Sequence, residues 1–579
     1  MPIDDYYKMQ MLKKPIALGN DIFANMGRAY YADKTLLVKD IIDSDTSVLL
    51  FTRPRRFGKT LNMTMLYTFF EKRLDGKDTS HYFKDLQIWQ AGEEYRAEQG
   101  KRPVIFLTLK DVKTSSYQRT MDEIQKIIAA EFDRHNELSK SPHLTENEKK
   151  LYEKISSDNA SYRDYSTALK TLSSLLEKHY GEKTVLLIDE YDAPIQAGFE
   201  HDFYEEIVEF MRNFLSSVLK TNMSLYKGIL TGITRVSKES IFSGLNNIEV
   251  NTIFDNNYSE YFGLTQDEVD GMLKFYGIFD KRQEVAEWYD GYKFGNTDIY
   301  NPWSVLCYLN KSAVPQSYWV NTSDNKMLGD MLVGIDNEDR EKLISFIEGG
   351  SIKKTVDTNI VYPELKTNPD LAYSFLAQTG YLKSIKTMPG GGGYNCELKI
   401  PNREVLYVYS KEIIERYIKH AYSMSKGVSL LRAVISGDTE MMTEMLEGYF
   451  LNCCSSIDLT EEQGYHTFML GLLAAATDSY IVKSNRESGK GRYDIEMKPK
   501  TNRRYLPGII IEIKHCKPSK SKNPNPKRQA ARLEREALKA IEQIEEKNYA
   551  AEMNAEGITD IIKYGAAFTG KEAKIIRKG

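Results

Sequence analysis

Short apolar runs alternate with longer amphipathic segments over the first 265 residues of the chain. The segments between the runs, such as Tyr117–His135 and Tyr162–Lys178, carry apolar residues at three- and four-residue spacing, which is typical of helices with one buried face. Strands that alternate with helices pair in parallel, so the pattern predicts an α/β domain over residues 1–265 with a parallel sheet and flanking helices. Its predicted strands are Ser47–Thr52, Val104–Leu109, Thr184–Ile188 and Lys227–Thr231.

The pattern changes at about residue 266. Residues 266–410 are rich in tryptophan and tyrosine and are mostly helical by pattern. They end near the glycine run Gly390–Gly393, which predicts a hairpin. We interpret this middle region as a lid and connector.

A third pattern covers residues 411–579. Helical spacing leads into the apolar segment Thr460–Thr477, and two strand candidates, a charged helix and a last apolar strand follow. This order predicts a separate α/β domain at the C-terminal end. The later elements are, in chain order, Arg492–Met497, Gly508–Lys514, Gln529–Tyr549 and Tyr564–Phe568.

Length and composition agree with several folded domains. The chain of 579 residues is too long for one hydrophobic core, and a hydrophobic content of 41% excludes a mainly disordered protein. The longest apolar runs are too short to span a membrane, and the first residues lack the pattern of an export signal, so no membrane association is expected. The five cysteines form no CxxC pair and are typical of reduced thiols, which predicts a cytoplasmic protein.

Positive charge is concentrated in the last domain, although the net charge of the chain is −4. Between Lys483 and Arg535 there are 16 lysines and arginines against 5 acids. Such a segment predicts contact with a polyanion, and without a helix-turn-helix or zinc finger the backbone of a nucleic acid is the expected target. The basic residues concerned are Arg486, Lys490, Arg492, Arg503, Arg504, Lys517, Lys520, Lys522, Lys527 and Arg528.

A phosphate-binding loop is indicated directly after the strand Ser47–Thr52. Gly58, Lys59 and Thr60 stand at the start of a helix-forming run. Backbone N–H groups at such a helix start cradle phosphates, the lysine reaches the terminal phosphates, and the threonine hydroxyl ligates Mg²⁺. The sequence therefore predicts a P-loop-type site for ATP and Mg²⁺.

Three arginines set this loop apart from the common P-loop. Arg53 occupies a position that is usually glycine, so it must avoid positive φ and the loop should differ in shape. Arg55 and Arg56 are candidates for phosphate contact, with structural pairing as the alternative.

Two further strands end in residues suited to the same site. After Thr184–Ile188, a Walker B arrangement would use Asp189 to hold Mg²⁺ through water and Glu190 to orient or deprotonate the attacking water. The alternative is a core strand capped by polar turn residues. The next strand brings Thr231 and Arg235 toward the γ-phosphate. Arg235 would act within one chain or across the interface of a homo-oligomer, and the alternative is a surface arginine on a loop.

The two C-terminal strand candidates carry the pattern of a metal-dependent nuclease. Alternation places Glu512 and Lys514 on one strand face and Ile511 and Ile513 on the other, while Asp494 lies on the preceding strand. Asp494 and Glu512 are candidate Mg²⁺ ligands, and the cation of Lys514 would stabilise the attacking hydroxide. Two amphipathic strands with solvent-facing acids produce the same pattern by chance, so this alternative stays open.

Several neighbouring residues have alternative interpretations. Glu461, Glu462 and His466 on the preceding helix are candidates to reach the metal, although a lone histidine on an apolar helix is more often a core residue. Glu496 is a weaker ligand candidate than Asp494. Gln543 on the charged helix is a candidate to orient substrate, but a solvated helix face is the favoured interpretation.

Several short segments together are typical of one protein family. They include RPRRFGKT, LLIDEYDAP, TGITRVSKESIFSGLNN, WYDGYKFG, IYNPWS and IPNREV, with SNRESGKGRYDIEM and IIIEIKH toward the end. They resemble the AAA-ATPase-like proteins that carry a C-terminal PD-(D/E)XK nuclease-superfamily domain, and the resemblance spans nearly the whole chain. It implies a P-loop-type domain, a helical middle region and a C-terminal α/β restriction-endonuclease-like domain. It also implies that Arg53 is typical of the family and that Asp494 is the metal ligand.

These observations lead to two hypotheses of different kinds. The first is an ATP-binding and ATP-hydrolysing module that controls a Mg²⁺-dependent nuclease acting on DNA or RNA. The second is an ATP-driven switch or scaffold whose nuclease fold only binds nucleic acid.

Overall fold

The computed structural model divides the chain into two compact units. One contains most of the first 323 residues together with Ser351–Val405, and the other contains Leu406–Gly579. The residues described are 14–72, 78–236, 242, 247–319, 350–360, 362–366, 368–390, 393–409, 425–453, 462, 465–466, 469, 473, 479–488, 491–500, 506–517 and 526–578.

The first unit is built on a five-stranded parallel sheet. Its strands are β1 (Val48–Thr52), β2 (Val104–Thr108), β3 (Thr184–Asp189), β4 (Leu225–Gly232) and, after the short β5 (Arg235–Val236), β6 (Ile248–Asn251), in the spatial order β2-β3-β4-β1-β6. Every residue of β1 and β3 is buried, as expected for central strands of a parallel sheet covered on both faces. The four predicted strands and their parallel pairing are confirmed, and β6 is an additional edge strand.

Helices flank this sheet as the amphipathic pattern predicts. The segment expected as one helix after residue 162 is two helices, which meet at Thr167. The α-helices of this region are Leu36–Asp43, Lys59–Phe70, Gln87–Gln90, Glu93–Arg96, Tyr117–Arg134, Glu146–Ser156, Tyr162–Ser166, Ala168–Tyr180, Ala193–Glu200 and Tyr204–Leu219.

The middle region combines helices with small antiparallel sheets. Its helices are Gln266–Tyr276, Arg282–Tyr289, Pro302–Asn310 and Pro369–Gln378, and residues 403–409 are also helical. The predicted hairpin at the glycine run is confirmed, because β12 (Lys383–Gly390) pairs with β13 (Gly393–Lys399). The remaining strands are β7 (Leu264–Thr265), β8 (Tyr292–Phe294), β9 (Thr297–Tyr300), β10 (Ile352–Val356) and β11 (Asn359–Ile360), in the orders β7-β9-β8 and β10-β13-β12 with β11 beside β5.

The second unit contains a five-stranded mixed sheet. In spatial order its strands are β14 (Tyr480–Ser488), β15 (Gly491–Pro499), β16 (Gly508–His515), β17 (Ile561–Thr569) and β18 (Glu572–Lys578). Only the pair β16 and β17 is parallel. The helices are Ser425–Ser436, Thr439–Cys453, Pro526–Glu546 and Ala551–Ala555, which gives the predicted C-terminal α/β architecture.

The two faces of this second sheet have different roles. Ile511 and Ile513 point into the main hydrophobic core, as strand alternation predicts. Ile510 packs on the opposite face against Ile541 and Ile544 of the helix Pro526–Glu546. Glu512 and Lys514 therefore lie on the face that this helix covers.

Within the described ranges, no helix combines the length and the apolar character needed to cross a bilayer.

Candidate nucleotide and nuclease sites

The phosphate loop joins β1 to the helix Lys59–Phe70. Gly58 caps this helix with φ 80°, a left-handed conformation that glycine adopts without strain. The side chain of Lys59 is buried, and its Nζ donates to the carbonyl oxygens of Arg53 and Pro54, each at 3.1 Å. Burial lowers the pKa of Lys59, and the nearby acids, led by Glu190, oppose this shift. The ammonium is thus held at the loop where phosphates are expected to bind.

Asp189 connects β3, β4 and the first turn of the helix Lys59–Phe70. It is fully buried at the end of β3, where Oδ2 accepts from the Thr60 hydroxyl at 2.7 Å and Oδ1 accepts from the Thr231 hydroxyl at 2.6 Å. Burial raises the pKa of its carboxyl group, and the two hydroxyl groups oppose the shift. Three residues predicted from separate segments therefore meet at one carboxylate.

Glu190 and Asp192 follow Asp189 but are placed differently. Glu190 has φ 53°, an uncommon conformation for a non-glycine residue, and its N–H donates to Thr231 Oγ1 at 3.3 Å. Asp192 is buried and accepts from the N–H groups of Ile233 and Thr234, at 2.8 and 3.0 Å. Asp192 thus anchors the turn after β4, while the Glu190 carboxylate stays near Lys59.

Arg53 packs inside the protein. Its Nη1 donates to the carbonyl oxygens of Thr52 and Asn251, and its guanidinium lies 5.2 Å from the ring centres of Phe262 and Phe294. Burial lowers its pKa to about 9. The arginine that replaces the usual glycine therefore braces the start of the loop.

The other arginines have protein partners. Arg55 Nη2 donates to Gln196 Oε1 at 3.0 Å, and the Arg56 guanidinium lies 3.9 Å from the ring centre of Trp303. Arg56 has φ 66°, so the loop places positive φ at Arg56 and Gly58. Arg235 opens β5, which pairs in parallel with β11. Phosphate contact by Arg55, Arg56 and Arg235 stays a prediction.

The oxygen atoms at and around Asp189 fit a Mg²⁺–nucleotide complex. The Thr60 hydroxyl and the Asp189 carboxylate are oxygen groups in direct contact, and oxygen ligands are those Mg²⁺ prefers. The bonds of Lys59 to loop carbonyls are ones that a phosphate would replace, since an ammonium binds an anion more strongly than a neutral carbonyl.

The predicted nuclease residues meet in the second unit. Asp494 on β15 accepts from the N–H of Ile513 on β16 at 2.7 Å, and Lys514 Nζ donates to Glu512 Oε1 at 2.8 Å. Burial and, after it, the negative charge of Asp494 raise the pKa of Glu512. The structure therefore brings Asp494, Glu512 and Lys514 together.

Glu512 has the features of a metal ligand. It is 2% exposed, and among the described residues its Oε2 has no hydrogen-bond partner. Burial, followed by the repulsion from Asp494, raises its pKa to about 7. A divalent cation would relieve both effects, so the residues fit Mg²⁺. No group of three His, Cys, Asp or Glu side chains that could hold a metal occurs in the described part of the chain.

Gln543 lies in this site, contrary to the favoured interpretation of a solvated helix face. Its Nε2 donates to Glu512 Oε1 and, at 3.0 Å, to the Tyr549 hydroxyl. A Cβ at Gly565 on β17 would stand 2.0 Å from the carbonyl oxygen of Ala537, so only glycine lets the helix approach this closely. The sequence offers one signal for this role, because Gln543 is a neutral amide in the segment IEQIEE, whose other polar residues are glutamates.

The remaining acids and the histidine surround the site unequally. His466 is buried with Nε2 3.0 Å from the carbonyl oxygen of Asp494, in agreement with a core role. Glu462 Oε2 accepts from the N–H of His515 at 3.1 Å and adds to the pKa increase of Asp494 and Glu512. Glu496 is fully buried, and Lys483 Nζ lies 3.7 Å from its Oε1. Glu461 lies outside the described residues.

Only part of the basic segment can be placed. Lys517, Lys527 and Arg528 are exposed near the end of β16 and at the start of the helix Pro526–Glu546. Arg486 and Arg492 belong to β14 and β15. Lys490, Arg503, Arg504, Lys520 and Lys522 lie outside the described residues.

Comparison with known proteins gives three matches. Residues 19–242 match a family model described as a predicted AAA-ATPase, and residues 460–578 match the PD-(D/E)XK nuclease superfamily. The chain is also similar to an uncharacterized protein in the vnfD 5′ region of Azotobacter chroococcum mcd 1, with 25% identity over 427 residues, which cover 73% of this chain and 74% of that protein. The chain therefore carries an AAA-ATPase-like domain followed by a domain of the PD-(D/E)XK nuclease superfamily, as the sequence segments predict.

Proposed function

We propose that this protein binds and hydrolyses ATP and that its C-terminal domain is a Mg²⁺-dependent nuclease acting on DNA or RNA. The single observation that carries the proposal is the cluster of Asp494, Glu512 and Lys514, in which a buried carboxylate oxygen of Glu512 has no partner among the described residues. The matches to both domain families support the same pair of activities.

In the ATPase domain each side chain has a distinct task. Lys59 supplies the positive charge for the terminal phosphates, and Thr60 with Asp189 supplies oxygen ligands for Mg²⁺. Glu190 serves as the base that orients or deprotonates water. Thr231 holds both the Asp189 carboxylate and the Glu190 N–H, so it fixes the relative position of the ligand and the base.

In the nuclease domain the same logic applies to a phosphodiester. When bound, Mg²⁺ supplies Lewis acidity at the scissile phosphate. Asp494 and Glu512 hold it, and Lys514 stabilises the attacking hydroxide. Gln543 keeps the Glu512 carboxylate oriented through Oε1, which leaves Oε2 for the cation. The exposed Lys517, Lys527 and Arg528 add positive charge for a nucleic-acid backbone.

The decisive experiment incubates purified protein with Mg²⁺ and a panel of single-stranded DNA, duplex DNA and RNA, with and without ATP. Metal-dependent cleavage that is lost in Asp494→Ala supports the proposal. Binding of nucleic acid without cleavage by either protein supports the alternative, an ATP-driven switch or scaffold. Phosphate release measured in parallel separates a switch with turnover from a scaffold without it.

Location and assembly are part of this proposal. Cys307, Cys396 and Cys516 are buried free thiols, which supports the prediction of a cytoplasmic protein. A homo-oligomer would allow Arg235 to act on the nucleotide of a neighbouring copy, and size-exclusion chromatography with light scattering tests this prediction.

A further inference from the structure

Two tryptophans of the middle region contact adjacent residues of the phosphate loop. The ring centre of Trp303 lies 3.9 Å from the Arg56 guanidinium, a cation–π distance. The indole N–H of Trp319 donates to the carbonyl oxygen of Arg55 at 3.2 Å. Arg56 has φ 66°, so external contacts help to hold a conformation that a non-glycine residue rarely adopts.

The rest of the loop packs on the same region. Phe57 is buried, with its ring centre 4.9 Å from that of Tyr292 and 5.3 Å from that of Phe294. Phe294 also faces the Arg53 guanidinium. The middle region thus contacts both the first and the last residues of this unusual loop.

One carboxylate ties the two tryptophan segments together. Glu404 is fully buried, and its Oε1 accepts from the N–H groups of Tyr318 and Trp319 at 2.6 and 2.7 Å. The hydroxyl of Ser304, the residue after Trp303, lies 3.0 and 2.8 Å from its two oxygens. Glu404 stands two residues before Leu406, where the chain passes into the second unit.

Phosphate binding competes with this arrangement. Lys59 donates to the carbonyl oxygens of Arg53 and Pro54, and a phosphate that draws the ammonium toward itself weakens these two bonds. The same loop segment carries the Trp319 contact at Arg55 and the Trp303 contact at Arg56. A change at Lys59 therefore reaches both tryptophans through at most three residues of backbone.

We propose that Trp303 and Trp319 are positioning residues of the phosphate loop. Through Glu404, ATP binding at the loop changes the conformation of the helical residues 403–409, from which the chain enters the second unit. This inference rests on the proposed ATP binding at the loop. It assigns the segments IYNPWS and IPNREV, which contain Trp303 and Glu404, a role in the conformational response to ATP binding.

Tryptophan fluorescence gives a direct test. The four tryptophans, Trp89, Trp288, Trp303 and Trp319, all belong to the first unit. Mg²⁺-ATP is expected to change the emission of the wild type, and most of this change should be lost in Trp303→Phe and Trp319→Phe. Trp89→Phe is the matched control and should keep it. ATP binding is measured separately by equilibrium dialysis.

Each result of this test has one meaning. If ATP binds but both tryptophan variants keep the full emission change, the inference is overturned while the proposed function stands. If dialysis detects no ATP binding to the wild type, the proposed function fails and the inference fails with it.

Hydrogen exchange tests the second step. Mg²⁺-ATP should alter amide exchange in residues 403–409 of the full chain, and folded Glu404→Ala should bind ATP but lose this effect. Glu404→Gln should restore it, because its amide oxygen can still accept from the N–H groups of Tyr318 and Trp319. An unchanged exchange effect in Glu404→Ala would overturn the proposal. If that variant does not fold, Trp319→Phe takes its place with the same expected loss and the same overturning result.

Discussion

The two sites of this protein both place a lysine beside buried acids, but they differ in how well their polar atoms are satisfied. In the phosphate loop, both oxygens of Asp189 accept from hydroxyl groups and Lys59 donates to two carbonyl oxygens. In the nuclease site, Glu512 has one oxygen without a partner among the described residues and is repelled by Asp494.

This difference indicates what each site needs from its ligand. The polar groups of the nucleotide site are paired with one another, so a ligand competes with these hydrogen bonds. The nuclease site already carries an unfavourable concentration of negative charge, so a cation can bind with little rearrangement. We infer that the first site is suited to a conformational change on ligand binding. The second is suited to catalysis by side chains that stay in place.

The strongest test of this comparison removes the carboxylate pair of the nuclease site and measures cleavage. Asp494→Ala or Glu512→Ala removes a metal ligand. Because outer partners of metal ligands alone contribute about ten- to hundredfold, cleavage should fall by more, on the order of a thousandfold. Glu545→Gln is the control, since Glu545 lies on the neighbouring helix but pairs with Lys563. Metal-dependent cleavage is measured alongside nucleic-acid affinity, which should persist. Unchanged cleavage in both alanine variants would make the acid pattern a coincidence.

The nucleotide site should separate binding from turnover. Glu190→Gln keeps the size of the side chain and the N–H bond to Thr231 but removes the proposed base. Hydrolysis should fall roughly a hundredfold while ATP affinity stays the same, because general-base catalysis contributes about that much. Phosphate release and equilibrium dialysis give the two numbers. Equal hydrolysis by variant and wild type would assign the base elsewhere. Glu123→Gln, at a half-exposed side chain on the helix Tyr117–Arg134, serves as control.

The arrangement of the nuclease side chains depends on the close packing of the helix Pro526–Glu546 against β17. Gly565→Ala would place a Cβ 2.0 Å from the carbonyl oxygen of Ala537, so the helix that carries Gln543 must move away. We expect a loss of about 2 kcal/mol in the unfolding free energy of the second unit, because overpacking costs this order of energy. Gly448→Ala is the matched control, since nothing lies within 4 Å of its Cβ position. Equal urea midpoints for the two variants would contradict the close packing.

The switching site depends on one cation. Lys59→Ala removes the charge that faces the terminal phosphates, so ATP binding should weaken at least tenfold, about 1.4 kcal/mol. The exposed Lys126, paired with Glu123, provides the control Lys126→Ala. Equilibrium dialysis with Mg²⁺-ATP measures both dissociation constants. A folded Lys59→Ala with wild-type affinity would refute the assignment of the phosphate site.

Strands rich in apolar residues were predictable, whereas strands that mix charged with apolar residues and contacts between distant residues were not. The strands β1, β2 and β3 are nearly continuous apolar runs, so their pattern is local. The missed strands β6, β14 and β18 lie at sheet edges and mix charged with apolar residues. The convergence of Thr60, Asp189 and Thr231 was foreseeable from the ends of adjacent strands.

Gln543, for which a solvated helix face was the favoured interpretation, and Glu404, which was not singled out, owe their positions to tertiary contacts. Gln543 reaches Glu512 across 31 residues of sequence, and Glu404 reaches Ser304 across 100. The partner in each contact depends on how helices and loops pack, which the local sequence does not determine. The same reason explains why Arg53 could be predicted to avoid positive φ but not to stack between Phe262 and Phe294.

The smallest expected effect is a pH dependence of the stability of the first unit, which comes from Glu404. Burial raises its pKa to about 7, above the ordinary value of 4.5, although its hydrogen bonds oppose the shift. A carboxyl group with a raised folded-state pKa contributes stability that is complete below the unfolded pKa and is lost as the pH rises through the folded pKa. From about pH 6 to about pH 8 the first unit should therefore lose about 1 kcal/mol relative to Glu404→Gln, which cannot ionise. Urea unfolding followed by tryptophan emission reports this unit alone, since every tryptophan belongs to it. Parallel pH profiles for the two proteins would show that the carboxyl group does not titrate in this range, and the anchor of the tryptophan segments would then be insensitive to pH.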